Sequence, residues 1–124
     1  MRKLLLATLF VAAAFTLAPA QGQDIQNMGR APSEPNGIGR LDARVVDEAG
    51  NPVRGVYLKL DSRRTDGYRC ESWNTTDERG VAVLPPIHMG RLRLTVKAKG
   101  YDDQKLDINP ANLSEPVRIT LVKD

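Results

Sequence analysis

From Arg40 onward, apolar residues recur at every second position. Leu41, Ala43 and Val45 alternate with Asp42, Arg44 and Val46, and Val56, Leu58 and Leu60 with Tyr57, Lys59 and Asp61. Leu92, Leu94, Val96 and Ala98 alternate with Arg91, Arg93, Thr95, Lys97 and Lys99. A period of two predicts strands with one buried face. Shorter strands are predicted over Trp73–Thr75, Val81–Leu84 and Tyr101–Ile108, and at Val117, Ile119 and Leu121. Asp47–Pro52, Thr65-Asp66-Gly67, Thr76–Gly80, Pro85-Pro86 and Gly100 are turn signals between them. Asn109–Leu113 reads as a loop or a single helical turn. Seven short strands without an amphipathic helix predict an all-β fold, a seven-stranded antiparallel sandwich over residues 40–124.

The pattern ahead of Arg40 is different. Arg2 and Lys3 precede an uncharged apolar run, Leu4 to Leu17, and Ala18-Pro19-Ala20 ends it with small residues. That order predicts a signal peptide over residues 1–20, cleaved after Ala20, and hence a secreted or periplasmic protein. The run is short for a bilayer span, so no transmembrane segment is expected after cleavage. Residues 21–39 are rich in Gly, Pro, Gln and Asn without apolar periodicity, which predicts a flexible segment.

Charge then excludes one partner class. The chain carries 18 basic and 15 acidic residues, and losing Arg2 and Lys3 leaves the two nearly balanced. The basic pI therefore gives no support to nucleic-acid binding. Cys70 is the only cysteine, so an exported chain of this kind has no internal disulfide. It is either a small buried side chain or a thiol available for pairing between two molecules, as in a homodimer.

Several motifs together resemble a known family. Leu41-x-Ala43-x-Val45-x-Asp47 followed by Gly50-Asn51-Pro52-Val53-x-Gly55-Val56-x-Leu58 is similar to the opening of carboxypeptidase regulatory-like domains. Thr76-Asp77-Glu78-Arg79-Gly80 resembles that family's Thr-Asp-x-x-Gly turn. Leu84-Pro85-Pro86, Gly90-x-Leu92-x-Leu94-x-Val96, Lys99-Gly100-Tyr101 and Val117-x-Ile119-x-Leu121 resemble its later strands. The likeness covers about Arg40 to Val122. It implies a transthyretin-like Greek-key sandwich, usually non-catalytic, found beside enzymes or free in secreted bacterial proteins. Starch-binding-like modules are related sandwiches. Two features depart from the pattern: Ile87-His88-Met89 is inserted between Pro86 and Gly90, and the connection from Leu60 to Thr76 is longer and more aromatic.

That connection holds the main candidate surface. In Tyr68–Trp73, Tyr68, Cys70 and Ser72 share one face and Arg69, Glu71 and Trp73 the other. With the cysteine face inward, Trp73 stands on the surface beside Arg69. There it suits a protein partner, or a glycan ring with Arg69, Glu71 and Asn74 as polar contacts. With the faces reversed, Trp73 caps the core. Arg91, Arg93, Lys97 and Lys99 form a basic strand face that either binds a polyanion or pairs with Asp103 and Asp107 on the next strand. His88 is the only histidine and no Gly-x-Ser-x-Gly elbow is present, so hydrolysis through His88 with Cys70 or an aspartate is the weakest reading. Nor does the isourate-hydrolase branch of transthyretin-like proteins fit, since it uses several histidines. One His and one Cys are too few for zinc, and Asp102, Asp103 and Asp107 lack a calcium loop, so no metal or other cofactor is expected. Asn74-Thr75-Thr76 and Asn112-Leu113-Ser114 match the glycosylation sequon, a short pattern read here as coincidence. The expectation is a non-enzymatic binding module.

Overall fold

The computed structural model describes residues 25–124, so the signal peptide expected over 1–20 lies outside the described residues. Nearly all regular structure is β. The strands are β1 (Ile38–Gly39), β2 (Asp42–Val46), β3 (Tyr57–Arg63), β4 (Arg69–Thr75), β5 (Val81–Val83), β6 (Ile87–His88), β7 (Arg91–Lys97), β8 (Gln104–Ile108) and β9 (Val117–Thr120). One 3₁₀ turn, Pro110–Asn112, is capped where the Ala111 amide donates to Asn109 Oδ1 at 3.0 Å. No described helix is long and apolar enough to cross a membrane.

A four-stranded sheet in the order β4-β3-β7-β8 is antiparallel throughout, and a three-stranded sheet runs β5-β2-β9. A two-residue pair, β1-β6, is separate. The alternating residues meet between the two larger sheets, consistent with the expected sandwich. Leu58, Leu60, Leu92, Leu94 and Val96 from the four-stranded sheet pack with Ala43, Val45, Ala82 and Ile119 from the other. One pairing departs from the antiparallel expectation: β2 and β9 are parallel, with Ala43 beside Val117 and Val46 beside Thr120. Side chains alternate with period two in either orientation, so periodicity cannot distinguish them.

The turns follow from local chemistry. Asp47 and Asp77 open matching turns, each accepting two backbone amides on Oδ1: Ala49 and Asn51 at the first, Arg79 and Val81 at the second. Gly50 and Gly80 close them at φ of 87° and 75°, a region costly for residues with a Cβ. Burial pushes the Asp77 carboxyl up, but the Arg79 guanidinium and the Val81 and Arg79 amides outweigh it and hold the group below its usual range.

Residues 21–39 are expected to form a flexible leader, and those from residue 25 on are described by the structure. From residue 25 on, this segment is fastened to the domain. Arg30 and Arg40 exchange backbone hydrogen bonds of 2.8 and 2.9 Å, and Asn27 Nδ2 donates to Ser114 O at 2.6 Å. β1 pairs with β6, so Ile87 and His88 form the leader's partner strand. Asn36 then binds Thr65 in the β3–β4 hairpin, and the Met89 amide donates to Gly37 O at 2.8 Å.

This docking changes the environment of β2. Asp42 and Arg44, on the side opposite to the core, were expected to face solvent, yet both are buried. Arg44 Nε and Nη2 donate to the two Asp42 carboxylate oxygens at 2.7 and 2.9 Å. The Met28 amide donates to Asp42 Oδ2 at 2.8 Å, and Arg44 Nη2 reaches Gln26 O at 3.2 Å. Hydrogen bonding to Asp42 raises the guanidinium pKa further, against the lowering from burial. Removing one partner of a buried pair strands the other charge.

Two outcomes are expected. Asp42→Ala destabilises the protein by about 3–5 kcal/mol in denaturant titration and exposes residues 25–37 to limited proteolysis. Asp77→Ala costs about 1 kcal/mol at neutral pH, reduced by the site's exposure. Because the folded carboxyl sits below its unfolded value of about 3.9, that contribution is present above pH ~4 and fades as pH falls through the folded pKa. Denaturation of wild type and variant at pH 7 and pH 3 should therefore show the gap closing in acid.

Candidate functional site

β3 and β4 form a hairpin through Arg64–Tyr68, closed by Arg64 N–H to Tyr68 O at 2.8 Å and turned by Gly67 at φ 87°. This turn fixes the register. Trp73 pairs with Lys59, Glu71 with Asp61, Asn74 with Leu58, and Cys70 with Ser62. Leu58 and Ser62 are buried, so Cys70, Ser72 and Asn74 share the inward side, and Arg69, Glu71 and Trp73 the outward side. Ser72 is buried and donates to Pro85 O at 2.6 Å. The inward position of Asn74 gives its side chain a structural bond, Nδ2 to Val83 O at 2.8 Å, across to the other sheet. That bond disfavours its use as a ligand contact.

Trp73 is 57% exposed on strand β4, at the edge of the four-stranded sheet. It does not cap the core. Its neighbours differ from the expected ones. Arg69 lies four residues along the same strand, roughly 13 Å away at the rise of a strand. Lys59 is the residue beside Trp73, with its ammonium 3.4 Å from Glu71 Oε2 and 3.8 Å from Asp61 Oδ1. Asp61 first, then Glu71, raises the Lys59 pKa, so the amine stays cationic. Tyr57, on the same face of β3, is also exposed. Sequence reading missed Lys59 and Tyr57 as members of this surface. Counting back from the Thr65-Asp66-Gly67 turn would have placed both opposite β4.

Tyr68 precedes β4, is 63% exposed, and has the Arg64 guanidinium 5.7 Å above its ring. It sits at the hairpin end rather than beside Trp73. Cys70 is unpaired and partly buried.

The basic face is discontinuous. Arg91, Arg93 and Lys97 lie outward on β7, with Thr95 between the last two, but Lys99 falls in the turn beyond the strand. Arg93 is 3.3 Å from Asp107 on β8, as cross-strand pairing predicts, and both ends of that pair are exposed. Lys97 stands opposite Tyr57 and Arg91 opposite Arg63.

His88 Nδ1 lies 3.0 Å from Asn36 O. A carbonyl only accepts, so Nδ1 carries the proton, and the imidazole fastens the leader rather than reaching a nucleophile. Among the described residues, no group of three or more His, Cys, Asp or Glu side chains is arranged to hold a metal ion.

The exposure of Trp73 has a direct readout, since it is the only tryptophan. Acrylamide should quench its fluorescence nearly as well in the folded as in the unfolded protein, and Trp73→Ala should change stability by less than about 0.5 kcal/mol. Strong protection in the folded state would place the indole in the core.

No family model matches the chain, and no curated protein matches it.

Proposed function

We propose that this is an exported, non-catalytic interaction module of the carboxypeptidase regulatory-like type, with a transthyretin-like Greek-key arrangement, using the outer face of β3 and β4 to bind a protein partner in the cell envelope or outside the cell. The observation that carries this reading is the exposed Trp73 on an edge strand, with Tyr57 and Lys59 beside it on the same face. A large aromatic left in water contributes nothing to the core, while interface centres are enriched in Trp, Tyr and Arg. The charged Arg69 and Glu71 on this edge oppose indiscriminate strand pairing, which favours a partner that reads side chains. The resemblance over Arg40–Val122 and the apolar leader over residues 1–20 agree with such a module and its export.

Carbohydrate binding is a second reading, favoured by one feature. The Trp73 indole is flanked by Lys59 and Glu71, whose polar groups suit hydroxyls around a stacked ring.

A photo-crosslinking residue at Glu71 or Trp73 should trap a partner in the producing cell. The same group at Arg118, exposed on the other sheet, should not. Equal yields from both faces, or none from β4, would overturn protein recognition through this surface. Under the glycan reading, titration with a glycan panel changes tryptophan fluorescence and Trp73→Ala abolishes binding. Sedimentation with and without reductant tests a Cys70-linked homodimer, which predicts a doubled mass that reductant removes.

A further inference from the structure

At the hairpin end of the four-stranded sheet, three arginines stand in one cross-strand row. Arg69 on β4 faces Arg63 on β3, and Arg63 faces Arg91 on β7. All three are exposed, and register partners project from the same side. Strands lie about 4.8 Å apart, so the three side chains arise within roughly 10 Å. Like charges directly opposite one another oppose pairing. The neighbouring acids do not relieve them: Asp61 and Glu71 hold Lys59, and Asp107 holds Arg93. Among the described residues no ion pair includes Arg63, Arg69 or Arg91.

A second observation comes from the space beside the row. An open groove of about 610 Å³ lies there, bordered by Arg63, Arg64, Arg91, Asn36 and Asn109, with Glu34 the one acid among its lining residues. Its leader wall is held in place by the Asn36–Thr65 hydrogen bonds. Arg64 is already engaged, with Nη2 3.1 Å from Asp66 and its guanidinium over the Tyr68 ring, which leaves Arg63 and Arg91, among the described residues, as the unpaired cations at the groove.

We propose that the Arg63–Arg69–Arg91 row and the adjoining groove bind a multivalent oxyanion, a ligand carrying two or more phosphate, sulfate or carboxylate groups a few ångströms apart. One guanidinium engages one such group through paired hydrogen bonds, so a small monovalent anion leaves the rest of the row unsatisfied. Asp61 and Glu71 bound the site on the side toward Trp73 and repel an anionic chain extended along the strands. The ligand therefore lies across the strands. The row shares the outer face of β3 and β4 with Trp73 but lies at its hairpin end, four residues along β4 from the indole, so anion binding there does not require Trp73.

The test is thermal unfolding of the purified protein at fixed ionic strength with pyrophosphate, citrate, inorganic phosphate or acetate. Pyrophosphate or citrate should raise the midpoint saturably, at a concentration at least tenfold lower than phosphate or acetate requires. Preference between them separates a phosphate-bearing from a carboxylate-bearing ligand. Arg63→Gln and Arg91→Gln should each weaken the response at least fivefold, and Trp73→Ala should leave it intact. Ligand-free Arg63→Gln should unfold at or above the wild-type midpoint, because a like-charge contact is gone, so its lost response is not misfolding. A midpoint indifferent to pyrophosphate and citrate, or arginine variants that respond as strongly as the wild type, would overturn the site.

Discussion

The Asp42–Arg44 pair is the constraint around which this molecule is arranged. β2 is the central strand of its sheet, and the core occupies one side of it. Two ionised side chains on its other side would ordinarily stay in water. Here the leader covers them, and the desolvation penalty is offset because Asp42 accepts a bidentate guanidinium and the Met28 amide. The pair and the leader reinforce one another. An uncovered pair is a weak surface contact, and a leader without the pair has few apolar groups with which to bind.

Leader docking also links features that look unrelated along the chain. The Ile87-His88-Met89 segment supplies β6 and the His88 imidazole, and both hold the leader. The extended β3–β4 hairpin supplies Thr65, which binds Asn36. Buried Ser62 joins the two regions, donating to His88 O at 2.8 Å and accepting from the Gly90 amide at 2.9 Å. The β3–β4 hairpin turn and the Ile87-His88-Met89 segment thus meet at the leader. This also gives the single histidine a structural hydrogen bond, from Nδ1 to Asn36 O.

Much of the sandwich was legible in the sequence because burial has a simple period there. Leu58, Leu60, Leu92, Leu94 and Val96 point inward as their alternation demands. The parity of Tyr68–Trp73 also separated the two faces of β4 correctly, although only the register with Leu58 and Ser62 shows which is inside. The leader was illegible for a physical reason. Its contacts with the domain come from backbone groups and a few polar side chains, which composition does not reveal. The burial of Asp42 and Arg44 was hidden for the same reason: alternation marks a side as polar but does not report what covers it. In the candidate surface, the sequence left Trp73 open between surface and core, and its neighbour Lys59 required cross-strand register.

The leader meets the domain at Ile25 and Gln26, beside Arg44, on the outer side of the three-stranded sheet. Trp73 and the arginine row lie on the outer side of the other sheet. A tag, surface linkage or preceding module joined ahead of residue 25 would therefore approach from behind. Immobilisation at the amino end should leave the aromatic and arginine-bearing side unobstructed.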